Sequence, residues 1–255
     1  MPLITRRGLA GAGAAGLGGW LLSGCDRVTT APSVDRFIDL GQSLTLRAQR
    51  LLLAGQPLAR EYAASEISPV FRANGTLQPM TADYLTLQAD GFAGWRLAVG
   101  GLVRTPRSFS LAELKALPAR TQITRHDCVE GWSAIGGWTG VQLARVLAIV
   151  GLAPAARYIV FHCADNLGGG PAGLYYESID LFDAFHPQTI LAYAMNGSPL
   201  SVPHGAPLRL RVERQLGYKQ AKYLMRIEAV DRLAGIGGGR GGFWEDRGYE
   251  WYAGI

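Results

Sequence analysis

Cysteine is scarce in this 255-residue chain, with only Cys25, Cys128 and Cys163. No two of them form a C-x-x-C pair, which removes zinc-ribbon, thioredoxin and c-type haem readings. Histidine is almost as sparse. His126, His162, His186 and His204 fall at no H-x-H, H-x-x-H or H-E-x-x-H spacing, so a His/Cys zinc site would have to be assembled from distant segments. Nucleophile-elbow, Walker A and dinucleotide fingerprints are also absent, as are internal repeats and heptads. Charged residues make up only 18% of the chain, and its Lys and Arg residues are mostly dispersed. With no helix-turn-helix, zinc-finger or RNP pattern, the net charge of +5 does not point to nucleic acid.

Hydrophobic residues make up 48%, enough to bury a core and too many for a disordered chain. The first residues read as an address. Thr5-Arg6-Arg7-Gly8-Leu9 is a twin-arginine pattern, and a Gly/Ala-rich run follows to Leu22. That run is short for a span, which needs roughly 20 apolar residues, and suits an export signal. Leu22-Ser23-Gly24-Cys25 then resembles a bacterial lipobox, in which Cys25 is lipidated, and Asp26 resembles a signal for retention at the inner membrane. The organisation expected is a signal with lipobox over 1–25, a tether over 26–34 and a helical segment over 35–64. The main domain over 65–232 and a Gly/aromatic tail over 233–255 complete it.

Strand patterns are read at Gln122–Arg125, Trp95–Val103 (bent at Gly100-Gly101), Arg157–Cys163, Pro207–Val212 and Lys222–Val230. Asn196-Gly197 between apolar flanks signals a hairpin. Capping boxes at Ser110/Glu113 and Thr139/Gln142 each predict a helix, to about Leu117 and to Val150. A short helix is read over Ser178–Phe185. Strands and helices mix without regular βαβ alternation, which gives an α+β class.

Chemistry concentrates in two stretches. Thr124 to Trp138 places Cys128 in a Gly/Trp-rich loop at the end of a strand, a setting open to metal ligation, to nucleophilic attack with His126 or His204, or to an inert buried thiol. Arg209, Arg211, Arg214, Lys219 and Lys222 gather five cations around a Gly217 turn. They can form a phosphate cradle or a solvated basic face.

The ordered set Arg125-His126-Asp127-Cys128-Val129-Glu130-Gly131-Trp132, Tyr176-Glu177-Ser178-Ile179-Asp180, Leu191–Gly197, His204–Arg209 and Gly217–Lys222 resembles the molybdopterin domain of the sulfite oxidase family over roughly Ser68 to Val230. The resemblance implies that family's α+β fold and one molybdenum per chain, held by a pterin dithiolene and the Cys128 thiolate. Thiolate is a fitting donor for a soft-ligand metal. It places Phe71, Arg72, Asn74, Cys163, Asp165, His204, Arg209, Gln220, Ala221 and Lys222 around the cofactor, with Arg72 and Tyr176 beside the substrate. Sulfite oxidases follow an arginine directly with Asn-His; here Ala73 precedes Asn74, Arg72 lies one place earlier and Gly75 follows. The chain therefore looks more like the small exported bacterial members, among them the catalytic subunit of the periplasmic methionine sulfoxide reductase. No counterpart of the family's dimerisation or haem domains is found, so a periplasmic monomer with a separate haem partner, a cytochrome, is expected. The activity implied is two-electron oxo transfer on a small sulfur or nitrogen compound: sulfoxide reduction or sulfite-type oxidation. The alternative is a lipid-anchored module that binds a pterin or phosphate ligand without catalysis.

Overall fold

The computed structural model describes residue 41, residues 44–52 and residues 57–255. The twin-arginine pattern, Cys25 and the tether lie outside the described residues. Two compact units are present, Met1–Pro57 and Leu58–Ile255. In the first, residues 44–52 are helical.

The second unit is built on two five-stranded sheets. One contains β1 (Arg96–Gly101), β2 (Arg107–Ser110), β5 (Tyr158–Asn166), β6 (Leu174–Asp180) and β10 (Leu224–Val230), in the order β2-β1-β10-β5-β6. The other runs β3 (Ala119–Asp127), β4 (Ser133–Gln142), β7 (Ile190–Met195) and β8 (Ser198–Pro199), with β9 (Arg209–Arg211) also pairing to β7. Only β1 and β10 pair in parallel; the other pairs are antiparallel. Of its four helices, α1 (Ala82–Ala89) precedes β1, and α2 (Leu111–Ala116), α3 (Leu143–Val150) and α4 (Leu181–Ala184) sit between strands. The α+β reading therefore holds.

Local sequence explains most boundaries. Ser110 Oγ accepts from the Glu113 N–H and Glu113 reaches back to the Ser110 N–H, a complete capping box that starts α2. In α3, Leu143, Val146, Leu147 and Val150 form the buried face, the i, i+3, i+4, i+7 spacing of one helical stripe. Gly151, at φ +66°, ends it. The hairpin at Asn196-Gly197 forms with both residues at positive φ, as a two-residue primed turn requires. Buried Trp95, Leu97, Val99, Phe109, Ile159, Phe161 and Ile227 join the α3 stripe in the main core.

Several expectations need correcting. The Thr139/Gln142 pattern is not a capping box, because β4 runs through it. Thr139 Oγ1 bonds Thr121 Oγ1 across the strand pair at 2.8 Å, and Gln142 takes the N-cap without a side-chain bond. Ser178 to Asp180 finish β6, leaving only Leu181–Ala184 helical. The strand read over Arg157–Cys163 runs on as β5 through Asp165 and Asn166. Helix α1 has no counterpart in the reading of the sequence; Tyr84 is its only buried residue, too little for a periodic signal.

Candidate active site

Cys128 sits at the tip of the hairpin joining β3 to β4. Its N–H donates to the Trp132 carbonyl at 2.9 Å, the Gly131 N–H donates back to the Cys128 carbonyl, and Gly131 takes φ +86°. That turn presents the thiol, 8% exposed, to a cavity of about 220 Å³. Asn74 Nδ2 donates to its sulfur at 3.2 Å. The segment carrying Asn74 is pinned by Phe71, whose ring packs among His126, Trp132, Trp138 and His204 and rests on Gly136, where a Cβ would come within 3.1 Å.

The five cations separate into two groups. Arg211 pairs with Glu213, Arg214 with Asp183, and Lys219 with both Glu177 and Glu245, all buried. Arg209 and Lys222 line the cavity and make hydrogen bonds only to carbonyls: Arg209 to those of His204 and Gln220, Lys222 to those of Asn74, Thr76 and Pro203. Burial first, then the neighbouring Arg209 charge, pushes the Lys222 ammonium down to about 7. Burial, then Arg211, pushes Arg209 down to about 9. Two desolvated cations that make no ion pair among the described residues form a site for an anion.

Arg209 Nε is buried without a partner, a costly state unless a ligand completes it, while Thr76 and Asp165, and Gln220 and His126, are close enough to interact with each other. Burial raises the Asp165 carboxyl to about 6, opposed by the Lys222 charge. At Gly205 a Cβ would lie 3.0 Å from Lys222 and 3.2 Å from Arg209, so glycine lets the backbone approach the cationic end.

Neither histidine of the nucleophile reading is offered to the thiol. His126 Nδ1 faces Arg211 Nη1 at 3.1 Å, and burial followed by the Arg211 and Arg209 charges holds its imidazole well below the ordinary value, so the ring is neutral. His204 uses Nδ1 on Ser201 and Nε2 on the Phe71 carbonyl. Cys128 and Cys163 are both free thiols.

The cavity thus brings together Phe71, Arg72, Asn74, Cys128, Asp165, His204, Arg209, Gln220, Ala221 and Lys222. Cys163 and Tyr176 are not in its lining. Cys163 lies in the main core, where burial raises its thiol well above the usual range. The tyrosine at the wall is Tyr175, whose hydroxyl donates to the Tyr218 carbonyl. Tyr176 bonds the Asp246 carboxylate instead, because successive strand residues point to opposite faces. The sequence reading also missed Thr76, Trp132, Tyr218, Trp244 and Tyr249 as lining residues. Trp132 and Tyr218 lay inside motifs already quoted; the tail aromatics carried no spacing signal.

Residues 85–234 match the family of oxidoreductase molybdopterin binding domains. The chain belongs to that family. A family member from Azospira oryzae, provisionally named protein-methionine-sulfoxide reductase subunit YedZ1, is 38% identical over 234 residues, covering 92% of this chain and 82% of the relative. The catalytic subunit MsrP of protein-methionine-sulfoxide reductase from Xanthomonas axonopodis pv. citri is 37% identical over 148 residues. That match covers 54% of this chain and 46% of the relative, so the chain aligns with less than half of that protein's length. Among solved structures, the sulfane dehydrogenase SoxCD from Paracoccus pantotrophus superposes with a TM-score of 0.50 at 23% identity, over 55% of this chain and 39% of that one. This likeness places the fold among the sulfite oxidase type. The protein is an oxidoreductase of this family.

The unpaired cations, the partnerless Arg209 Nε and the glycine approach at Gly205 all fit a phosphate-bearing pterin. Cys128 adds one soft thiolate donor. Among the described residues no group of three His, Cys, Asp or Glu side chains comes together.

The cationic end has a testable pH signature. Lys222 loses its charge as pH rises through about 7, and Asp165 gains its charge as pH rises through about 6; both changes weaken anion binding as pH rises. Sulfate, a dianion across this range, should bind the cofactor-free protein more weakly at pH 8 than at pH 6, by up to about tenfold per pH unit above 7. Calorimetric titration reads this directly. Lys222→Met should flatten the upper limb.

Proposed function

We propose that this chain is the catalytic subunit of a molybdenum-dependent sulfoxide-type reductase, with one molybdenum per chain and electrons supplied by a separate haem protein. The observation that carries this reading is the pairing, in one cavity, of the Cys128 thiol, held by Asn74, with the cations Arg209 and Lys222, whose hydrogen bonds go to carbonyls alone. Asn74, His204, Arg209, Gln220 and Lys222 would hold the pterin and its phosphate, and Cys128 would bind the metal. When bound, that group supplies two-electron transfer of an oxygen atom.

The protein's own part is orientation, charge and shelter. Trp138 stacks under Arg209 and Arg211 at 4.9 and 4.3 Å and fixes the cationic end. Arg72, at the rim, lies 3.9 Å from Glu130 and 5.8 Å from the Trp132 ring. Its charge is partly offset, which favours a neutral oxide over sulfite. The names of the two relatives point to sulfoxide chemistry as well. The twin-arginine pattern and Cys25 support export to the periplasm and lipid anchoring at the inner membrane.

Protein purified from an exporting, molybdenum-replete host tests the proposal. About one molybdenum and one pterin per chain are expected, with reduction of sulfoxides or N-oxides by a reduced viologen dye, and mature chain in the membrane fraction. Folded protein with neither molybdenum nor pterin would overturn the cofactor assignment. Full loading with sulfite oxidation and no oxide reduction would overturn the direction.

A further inference from the structure

The matched family region ends at residue 234, yet Trp244 and Tyr249, ten or more residues beyond it, line the same cavity as Cys128. Their rings stack with centroids 5.3 Å apart and an interplanar angle of 28°. Tyr218, another lining residue, meets Tyr249 edge-on at 5.2 Å, and Phe243 meets Trp244 edge-on at 5.4 Å. The Tyr218 hydroxyl donates to the Glu250 carbonyl at 2.6 Å. Gly217, just before Tyr218, lies against the β3 end of the cysteine hairpin: its Cβ position is 3.4 Å from the Asp127 carbonyl, one residue before Cys128. The aromatic group is therefore fastened both to the loop beside the thiol and to the tail.

This wall differs in chemistry from the cationic end. Its contact-linked side chains are Tyr218, Phe243, Trp244 and Tyr249. The Arg247 guanidinium is occupied over the Phe243 ring and on the Phe243 carbonyl. An inorganic oxyanion gains nothing from such a surface. An apolar group carried beside an oxidised sulfur gains both apolar burial and sulfur–aromatic contact.

We propose that Trp244 and Tyr249 form the specificity wall of the active site, seating the larger apolar substituent of an organic sulfoxide. The proposal rests on the sulfoxide-reductase reading for its substrate class. The wall selects by size and hydrophobicity: an aryl methyl sulfoxide spans the stacked rings, and dimethyl sulfoxide does not.

The test uses the loaded enzyme with methyl phenyl sulfoxide, dimethyl sulfoxide and the non-reducible methyl phenyl sulfone. In Trp244→Ala and Tyr249→Ala, the preference for the aryl over the dimethyl substrate should fall about tenfold, through KM for the aryl sulfoxide. Affinity for the sulfone, measured by calorimetry, should fall in parallel. Trp244→Phe should restore most of both. Unchanged preference with turnover intact would overturn the wall and leave the reductase reading standing. Sulfone binding by the wild type that is lost in the alanine variants, without turnover of any sulfoxide, would uphold the wall and sink the reductase reading. A wild type that does not bind the sulfone overturns the proposal.

Discussion

Replacing Cys128 with alanine should abolish turnover, by about three orders of magnitude or more, while leaving pterin partly bound. The two halves of that expectation rest on different residues. Cys128 is the cavity's single thiol among the described residues, and Cys163 lies in the core away from the lining. The two nearby histidines are not placed to replace a lost thiolate, since His126 Nδ1 faces Arg211 and both nitrogens of His204 are bonded elsewhere. In the proposed reading the pterin would be gripped chiefly by His204, Arg209, Gln220 and Lys222, none of which bonds the Cys128 side chain. Asn74→Ala gives a graded control. Removing its hydrogen bond to the sulfur should cost about 10–100-fold, as loss of a bond that orients a metal ligand does. Metal content, pterin content and viologen-coupled rates check all three statements. Full turnover by the Cys128→Ala protein would end the assignment of that residue.

The cysteine could be found in the sequence because it is local. Strand, thiol, glycine and tryptophan follow one another within the motif, and the hairpin forms from those same residues. The basic cluster was only half legible. Five cations close together in sequence read as one cradle, but three of them are neutralised by Glu213, Asp183, Glu177 and Glu245. Most of those carboxylates come from elements far along the chain, so no spacing rule could subtract them. Tyr176 failed for another reason. A one-residue offset on a strand exchanges the cavity for the far side, and Tyr175 and Tyr176 are chemically equal until the pleat is known. The stacked tail aromatics were visible only as composition, because their placement depends on a buried charge cluster rather than on periodicity.

That cluster carries the second large effect, the loss of stability expected in Lys219→Met. Lys219 is fully buried, and its Nζ lies 2.5 Å from Glu177 Oε1 and 2.6 Å from Glu245 Oε1. Both carboxylates are buried too, and each keeps one oxygen without a partner. Desolvation is the largest influence on Glu177 and raises its carboxyl well above the usual range; Lys219 opposes it, and Glu245 adds to it. Without the ammonium, two carboxylates face each other in the core, and the expected loss is about 3–5 kcal/mol, read from the shift in urea midpoint. The sign with pH is fixed by the same groups. A carboxyl whose folded pKa is raised binds more protons folded than unfolded, so its favourable contribution is lost as pH rises through the folded value. Lys219→Met should therefore be more destabilised at pH 8 than at pH 5. Combining it with Glu177→Gln and Glu245→Gln should recover much of the loss, because replacing every charge of a buried cluster costs far less than stranding some of them. Equal losses at the two pH values, with no recovery in the triple variant, would show that the lysine acts through packing alone. Glu245 directly follows Trp244, and Gly242 admits no Cβ beside either carboxylate. Lys219→Met should therefore weaken sulfone binding as well as the fold, since the cluster that anchors the tail also sets the aromatic wall.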